Sequence, residues 1–126
     1  MNDDLDAPSL SFSKARRLTR SAEFLRVKRE GKAHRGALMI LGALVLKLEE
    51  PTAVRAGFVT TKRIGNAVAR NRVRRRLREI VRRHQHAVRR RIWIVVIARP
   101  AAAGASYGAL EDEWLRLAKR AFILAP

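Results

Sequence analysis

Apolar and polar positions change rhythm several times along this chain, and each change marks an element. In SAEFLRVKRE (residues 21–30), Phe24 and Val27 lie three apart behind Ser21, with Glu23 in the first turn and Gly31 after the last. That is the signature of a short, serine-capped helix closed by glycine. Residues 36–48, GALMILGALVLKL, are apolar at odd and even positions alike, so period alone does not separate buried strand from buried helix. Gly36 and Gly42 weigh against helix, and the segment is expected to be extended.

Glu49, Glu50 and Pro51 predict a turn, and VRAGFVTTK (54–62) reads as a second strand that should form a hairpin with the first. From Asn66 onward, Val73, Leu77, Ile80, Val81, His84 and Val88 fall on one face of what should be the longest helix. IWIVVIA (92–98) is a continuous apolar run of the kind covered on both faces, and so the expected central strand, ended by Arg99 and Pro100. Ser106 is placed to cap a final helix with Glu111, Asp112 and Glu113 in its first turn and an apolar stripe of Leu110, Trp114, Leu117 and Ala121. Helices and strands in this order predict an α+β fold with helices packed on one small sheet. Residues 1–13, acidic and rich in serine, are expected to be a flexible lead-in, and 14–126 a single domain.

Charge is the most informative property of the chain. The chain carries 28 lysines and arginines against 11 acids, a formal +17. Such self-repulsion points to a polyanionic partner. A G+C-rich genome could favour arginine over lysine, but it does not explain the net charge. The charge is also localised: residues 66–91 hold eleven arginines and one acid, Glu79, leaving +10, whereas Arg116, Lys119 and Arg120 balance Glu111, Asp112 and Glu113 near the C-terminus.

A merely solvated helix interleaves signs. Here Arg70, Arg74 and Arg78 stack like charges at i,i+4, each pair costing roughly a few tenths of a kcal/mol that an outside anion would offset. Guanidinium groups about 6 Å apart along a helix can follow the phosphates of a folded RNA or lie in a DNA groove. Gly65 and Asn66 make a tight helix entry with free N–H groups beside Lys62 and Arg63, a candidate anion site, and Asn71 adds an amide between Arg70 and Arg72.

Other classes fit less well. The longest apolar run, 37–46, is too short to span a bilayer, and the acidic N-terminus lacks a secretory pattern, so a cytoplasmic protein is expected. There is no cysteine, and His34, His84 and His86 lack the carboxylate spacing of a metal site, so no protein-bound catalytic metal is expected. A stand-alone nuclease should show clustered carboxylates or a His-based acid/base pair, which Glu79 and His84 on one helix do not make. A DNA regulator using residues 67–83 as recognition helix would need a helix-turn-helix partner, but strands flank this helix.

The string TTKRIGNAVARNRVRRRLRE (60–79) resembles the signature of the protein subunit of bacterial ribonuclease P, an Arg-Asn-Arg helix behind a Gly-Asn-Ala-Val entry. RLTRSAEFLRV, IVVIARP and SYGALEDEWLRLAKRA are similar to that family's first segment, last strand and closing helix, so the likeness runs over residues 13–122. The Gly-Asn-Ala-Val entry also separates it from other structural RNA-binding proteins.

The resemblance implies an α-β-β-β-α-β-α order with a left-handed β-α-β crossover, against the general right-handed preference. It implies a component of an endoribonuclease whose RNA subunit carries the chemistry and the Mg²⁺ ions, with no catalytic residue on this chain. Its partners would be that catalytic RNA and precursor tRNA, with no DNA and no membrane. By matching positions, Lys62, Arg63, Gly65, Asn66, Arg70, Asn71, Arg72, Arg74, Arg75 and Arg78 would bind the RNA subunit. Phe24, Lys28 and Ile40 would line a cleft for the 5′ leader, Lys28 and Ile40 standing where many members carry aromatics. Arg76 replaces a common apolar residue and is expected to widen the arginine band.

Overall fold

A computed structural model describes residues 17–18, 21–47, 55–89 and 91–124. The expected lead-in (1–13) and the turn at Glu49, Glu50 and Pro51 lie outside them. Helix α1 (Ser21–Glu30) is followed by strands β1 (Lys32–Arg35), β2 (Met39–Val45) and β3 (Arg55–Val59). Helix α2 (Ala67–His84), strand β4 (Ile92–Ala98) and helix α3 (Tyr107–Arg120) complete the order. It matches the α-β-β-β-α-β-α sequence implied by the resemblance.

The sheet runs β1-β2-β4-β3, with β4 antiparallel to β2 and parallel to β3. The expected hairpin between β2 and β3 does not form. β4 is apolar on both faces and gains two hydrogen-bonded neighbours by lying between them, so it takes the centre as expected. The parallel β3–β4 pair requires a crossover, and α2 supplies it. β1, with Lys32 and Arg35, was not legible as a strand from its polar composition. It pairs antiparallel with β2 and forms one edge, where charged side chains hinder further pairing.

Strand alternation sorts the apolar residues into two cores. Met39 and Leu41 of β2 join Ile92, Ile94, Val96 and Ala98 of β4 under α2 and α3. Leu44, Val95, Trp93 and Ile97 point the other way, toward α1 and its Val27 and Phe24. The double-faced apolar pattern of 36–48 is therefore a strand covered on both sides. Leu18 extends the second core by donating its backbone N–H to the Ala56 carbonyl at 2.9 Å.

The α2 face predicted from spacing is buried at Val73, Leu77, Ile80 and Val81. The helix ends earlier than the stripe, because the carbonyl of Arg82 accepts from both the backbone and the side-chain amide of Gln85. Val88 is still buried, but through an isolated bridge to Leu124. Ser106 caps α3 as expected, its Oγ accepting from Ala109 N at 3.1 Å. The acids do not lie in the first turn, which is Tyr107–Leu110 and contains none.

One of them does structural work instead. Glu113 is only 3% exposed and accepts the backbone N–H groups of Ala37, Leu38 and Met39 at 3.1, 2.7 and 2.9 Å. It holds the β1–β2 connection against α3. Glu113→Ala would leave those donors without an acceptor, and a loss of about 2 kcal/mol in urea unfolding is expected. An unchanged midpoint would show that water replaces the carboxylate freely.

Candidate nucleic-acid interface

The entry to α2 is built by local hydrogen bonds. Lys62–Ile64 form a 3₁₀ turn, with Thr61 Oγ1 accepting from Arg63 N at 3.3 Å. Gly65 then takes φ +146°, a conformation that a side chain disfavours, and Asn66 Oδ1 accepts from Ala69 N at 2.9 Å. The Gly-Asn pair therefore sets the helix start, and the Ala69 N–H that a ligand could have used is taken by Asn66 itself. Lys62 and Arg63 stand exposed beside it.

The arginines of α2 divide into three groups. Arg76 donates to the Ala105 carbonyl at 3.0 Å, and Arg83 reaches the Tyr107 hydroxyl at 3.5 Å, so both turn toward the start of α3. Arg76, expected to widen the band, is half-buried and braces two elements through that bond. Arg82 pairs with Glu79, whose carboxyl is held below its ordinary range chiefly by that hydrogen bond. His84 pairs instead with Glu111 at 2.8 Å and stacks on Trp114, so Glu79 and His84 do not face each other as acid and base.

The third group is Arg70, Arg72, Arg74, Arg75 and Arg78, of which Arg74 and Arg78 reach toward β3. Arg70 Nη1 donates to the Gly65 carbonyl at 2.8 Å, and Arg74 Nη1 to Asn71 Oδ1 at 2.9 Å, with Arg74 also reaching Thr60 Oγ1. Asn71, Arg74, Arg75 and Arg78 line a shallow hollow of about 200 Å³. Arg72 and Arg75 are exposed. Among the described residues no ion pair takes Arg70, Arg72, Arg74, Arg75 or Arg78. Burial first, then the charges of Arg17 and Arg74, lower the Arg78 guanidinium from its ordinary range. Arg70 and Arg74 are oriented by neutral acceptors, and none of the five is compensated by an ion pair among the described residues, an arrangement suited to phosphate oxygens.

On the opposite side of the sheet, α1 overhangs a groove of about 410 Å³. Phe24, Lys28 and Ile40, expected together from the resemblance, all line it. Val59, Val95 and Ile97 continue the apolar floor, while Lys32 and Arg35 add basic groups. The sequence reading missed this last pair because it did not recognise β1. Gly42 also lines the groove, leaving the β2 part of the floor low beside Ile40. Phe24 rests over Gly57, where an added Cβ would lie 2.5 Å from its Cζ.

An arginine face without ion-paired acids on one side of the sheet and, on the other, an apolar groove with a basic margin and an aromatic at its wall define a nucleic-acid-binding α+β domain. The profile of the family described as Ribonuclease P matches residues 12–122, and the chain belongs to the ribonuclease P protein family. It is 41% identical over 104 residues to the ribonuclease P protein component of Acidothermus cellulolyticus, covering 82% of this chain and 86% of that one. With the component from Syntrophomonas wolfei the identity is 35% over 114 residues, covering 90% and 93%. The fold superposes on the RNase P protein of Staphylococcus aureus with a TM-score of 0.78 at 26% identity, covering 88% of this chain and 99% of that one. For the protein from Thermotoga maritima the TM-score is 0.71 at 27% identity, over 82% and 96%. The chain thus serves as the protein component of a ribonucleoprotein endoribonuclease in tRNA processing. None of its described helices is long and apolar enough to cross a membrane.

Proposed function

We propose that the two surfaces divide the labour of the holoenzyme: the α2 arginines dock on the catalytic RNA, and the α1 groove holds the 5′ leader of precursor tRNA. The observation that carries this is the acid-free cluster of Asn71, Arg74, Arg75 and Arg78 around one hollow, which has no compensating ion pair among the described residues. Arg70, Arg72, Lys62 and Arg63 extend it toward the helix entry. Gly65 and Asn66 act by fixing the backbone there.

In the groove, Phe24 offers a face on which an unpaired base can stack, and Ile40 the apolar floor. Lys28, with Lys32 and Arg35, meets the backbone phosphates. Mg²⁺ belongs to the RNA subunit in this scheme, where it supplies the hydrolytic chemistry. The complex would act in the cytoplasm on precursor tRNA, without membrane or DNA.

Reconstitution tests the scheme. The purified protein is expected not to cleave precursor tRNA, and addition of the cognate RNA subunit to give 5′ maturation in low Mg²⁺. Cleavage at the same site by RNA-free protein would place the chemistry on this chain and overturn the proposal.

A further inference from the structure

A second, smaller hollow of about 160 Å³ lies beyond Phe24, walled by Arg17, Phe24, Phe58 and Arg78. Phe24 also lines the groove under α1, and Arg78 also lines the arginine hollow of α2. Two shared side chains therefore join the three depressions into one track across β3.

We propose that Arg17 and Arg78 form a seat for one phosphodiester of the leader, at the point where the groove meets the α2 arginines. The proposal rests on the groove being the leader site. Arg17 is fixed by its backbone: it bridges Ala56 of β3, and its carbonyl accepts from Arg55 Nη2 at 2.9 Å. The Nε atoms of Arg17 and Arg78 are both buried and have no hydrogen-bond partner. Among the described residues neither arginine enters an ion pair, and Glu23, the acid on this side of α1, is paired with Arg55.

Two guanidinium groups brought together without an anion repel each other, and that penalty falls when a phosphate enters. A phosphodiester has two non-bridging oxygens, each able to accept from more than one N–H, so one phosphate can bridge two planar forks. The leader is the source favoured here because the hollow adjoins Phe24: a strand with a base stacked on that ring carries its next phosphate along the same wall.

The test compares precursor tRNA with the same tRNA lacking its leader, bound to the reconstituted holoenzyme across a salt series. Arg17→Ala is expected to weaken binding of the leader-bearing substrate about three- to tenfold and to reduce its log–log salt slope by about 0.7, the value for one phosphate on a single strand. Leaderless tRNA and the RNA subunit should bind as before, and Arg17→Lys should restore the slope. An equal loss with leaderless tRNA, or a loss of RNA-subunit affinity, would assign the phosphate to another strand and overturn the leader seat. No change at all would overturn the seat itself. Phe24→Ala in the same series separates the two levels. If it leaves the leader's contribution intact, or the wild type shows none, the groove assignment falls and the seat with it. If Phe24→Ala removes that contribution while Arg17→Ala does not, only the seat is lost.

Discussion

Replacing Arg72 and Arg75 together by alanine is expected to weaken binding of the RNA subunit by about a hundredfold near physiological salt and to reduce the log–log salt slope by about 2, one per lost phosphate contact. Both side chains are exposed and outside every ion pair among the described residues, so their removal leaves no buried group unpaired and should not unfold the protein. Arg83→Ala is the matched control, since Arg83 is equally exposed but turns to the Tyr107 hydroxyl. The double lysine variant should recover most of the slope and only part of the affinity, because an ammonium keeps the charge and loses the bidentate fork. Equal affinities and slopes for wild type and the double alanine variant would remove these two arginines from the interface.

Gly57→Val is expected to abolish the leader's contribution to substrate binding, about tenfold or more by the usual strength of base–aromatic stacking, while leaving RNA-subunit affinity in place. Gly57 is buried on β3, and even a Cβ there would stand 2.5 Å from Phe24 Cζ and 3.1 Å from Leu18 Cβ. Phe24 is only partly buried, so its ring can be pushed out of its seat. The backbone of Leu18, tied to Ala56, has less room to yield. Binding of leader-bearing and leaderless tRNA to holoenzymes made with each protein measures the effect, with circular dichroism to confirm that the variant is folded. A folded Gly57→Val protein that still distinguishes the two substrates would show that the ring need not sit there.

What the sequence made legible follows the physics of each signal. The period of α2 and the doubly apolar run of β4 mark elements whose burial is set by their own residues, and both lie where expected. Partner choice within the sheet is a different kind of information. Nothing in residues 36–62 announces that β4 will separate β2 from β3, since that depends on which strand gains more by being central. β1 escaped notice because an edge strand buries little and so needs no apolar alternation. The grouping of Phe24, Lys28 and Ile40 came from resemblance and is met in the groove lining, whereas Lys32 and Arg35 are added by the β1–β2 pairing. Arg76 shows the limit of counting charge: its partner, the Ala105 carbonyl, lies 29 residues away on a loop that composition does not position.

The sheet order also bears on how the molecule is made. β2 is synthesised next to β3, yet the hydrogen-bonding neighbour they share, β4, is the last strand to leave the ribosome. Until residue 98 has emerged, the hydrogen-bonding edges of both strands lack that neighbour, and α2 is a nascent segment dense in cations close to a machine built largely of RNA. A ribosome stalled between α2 and β4 would therefore hold a chain that can bind polyanions but cannot yet close its sheet. For this fold, the binding helix is translated before the strand that completes its sheet.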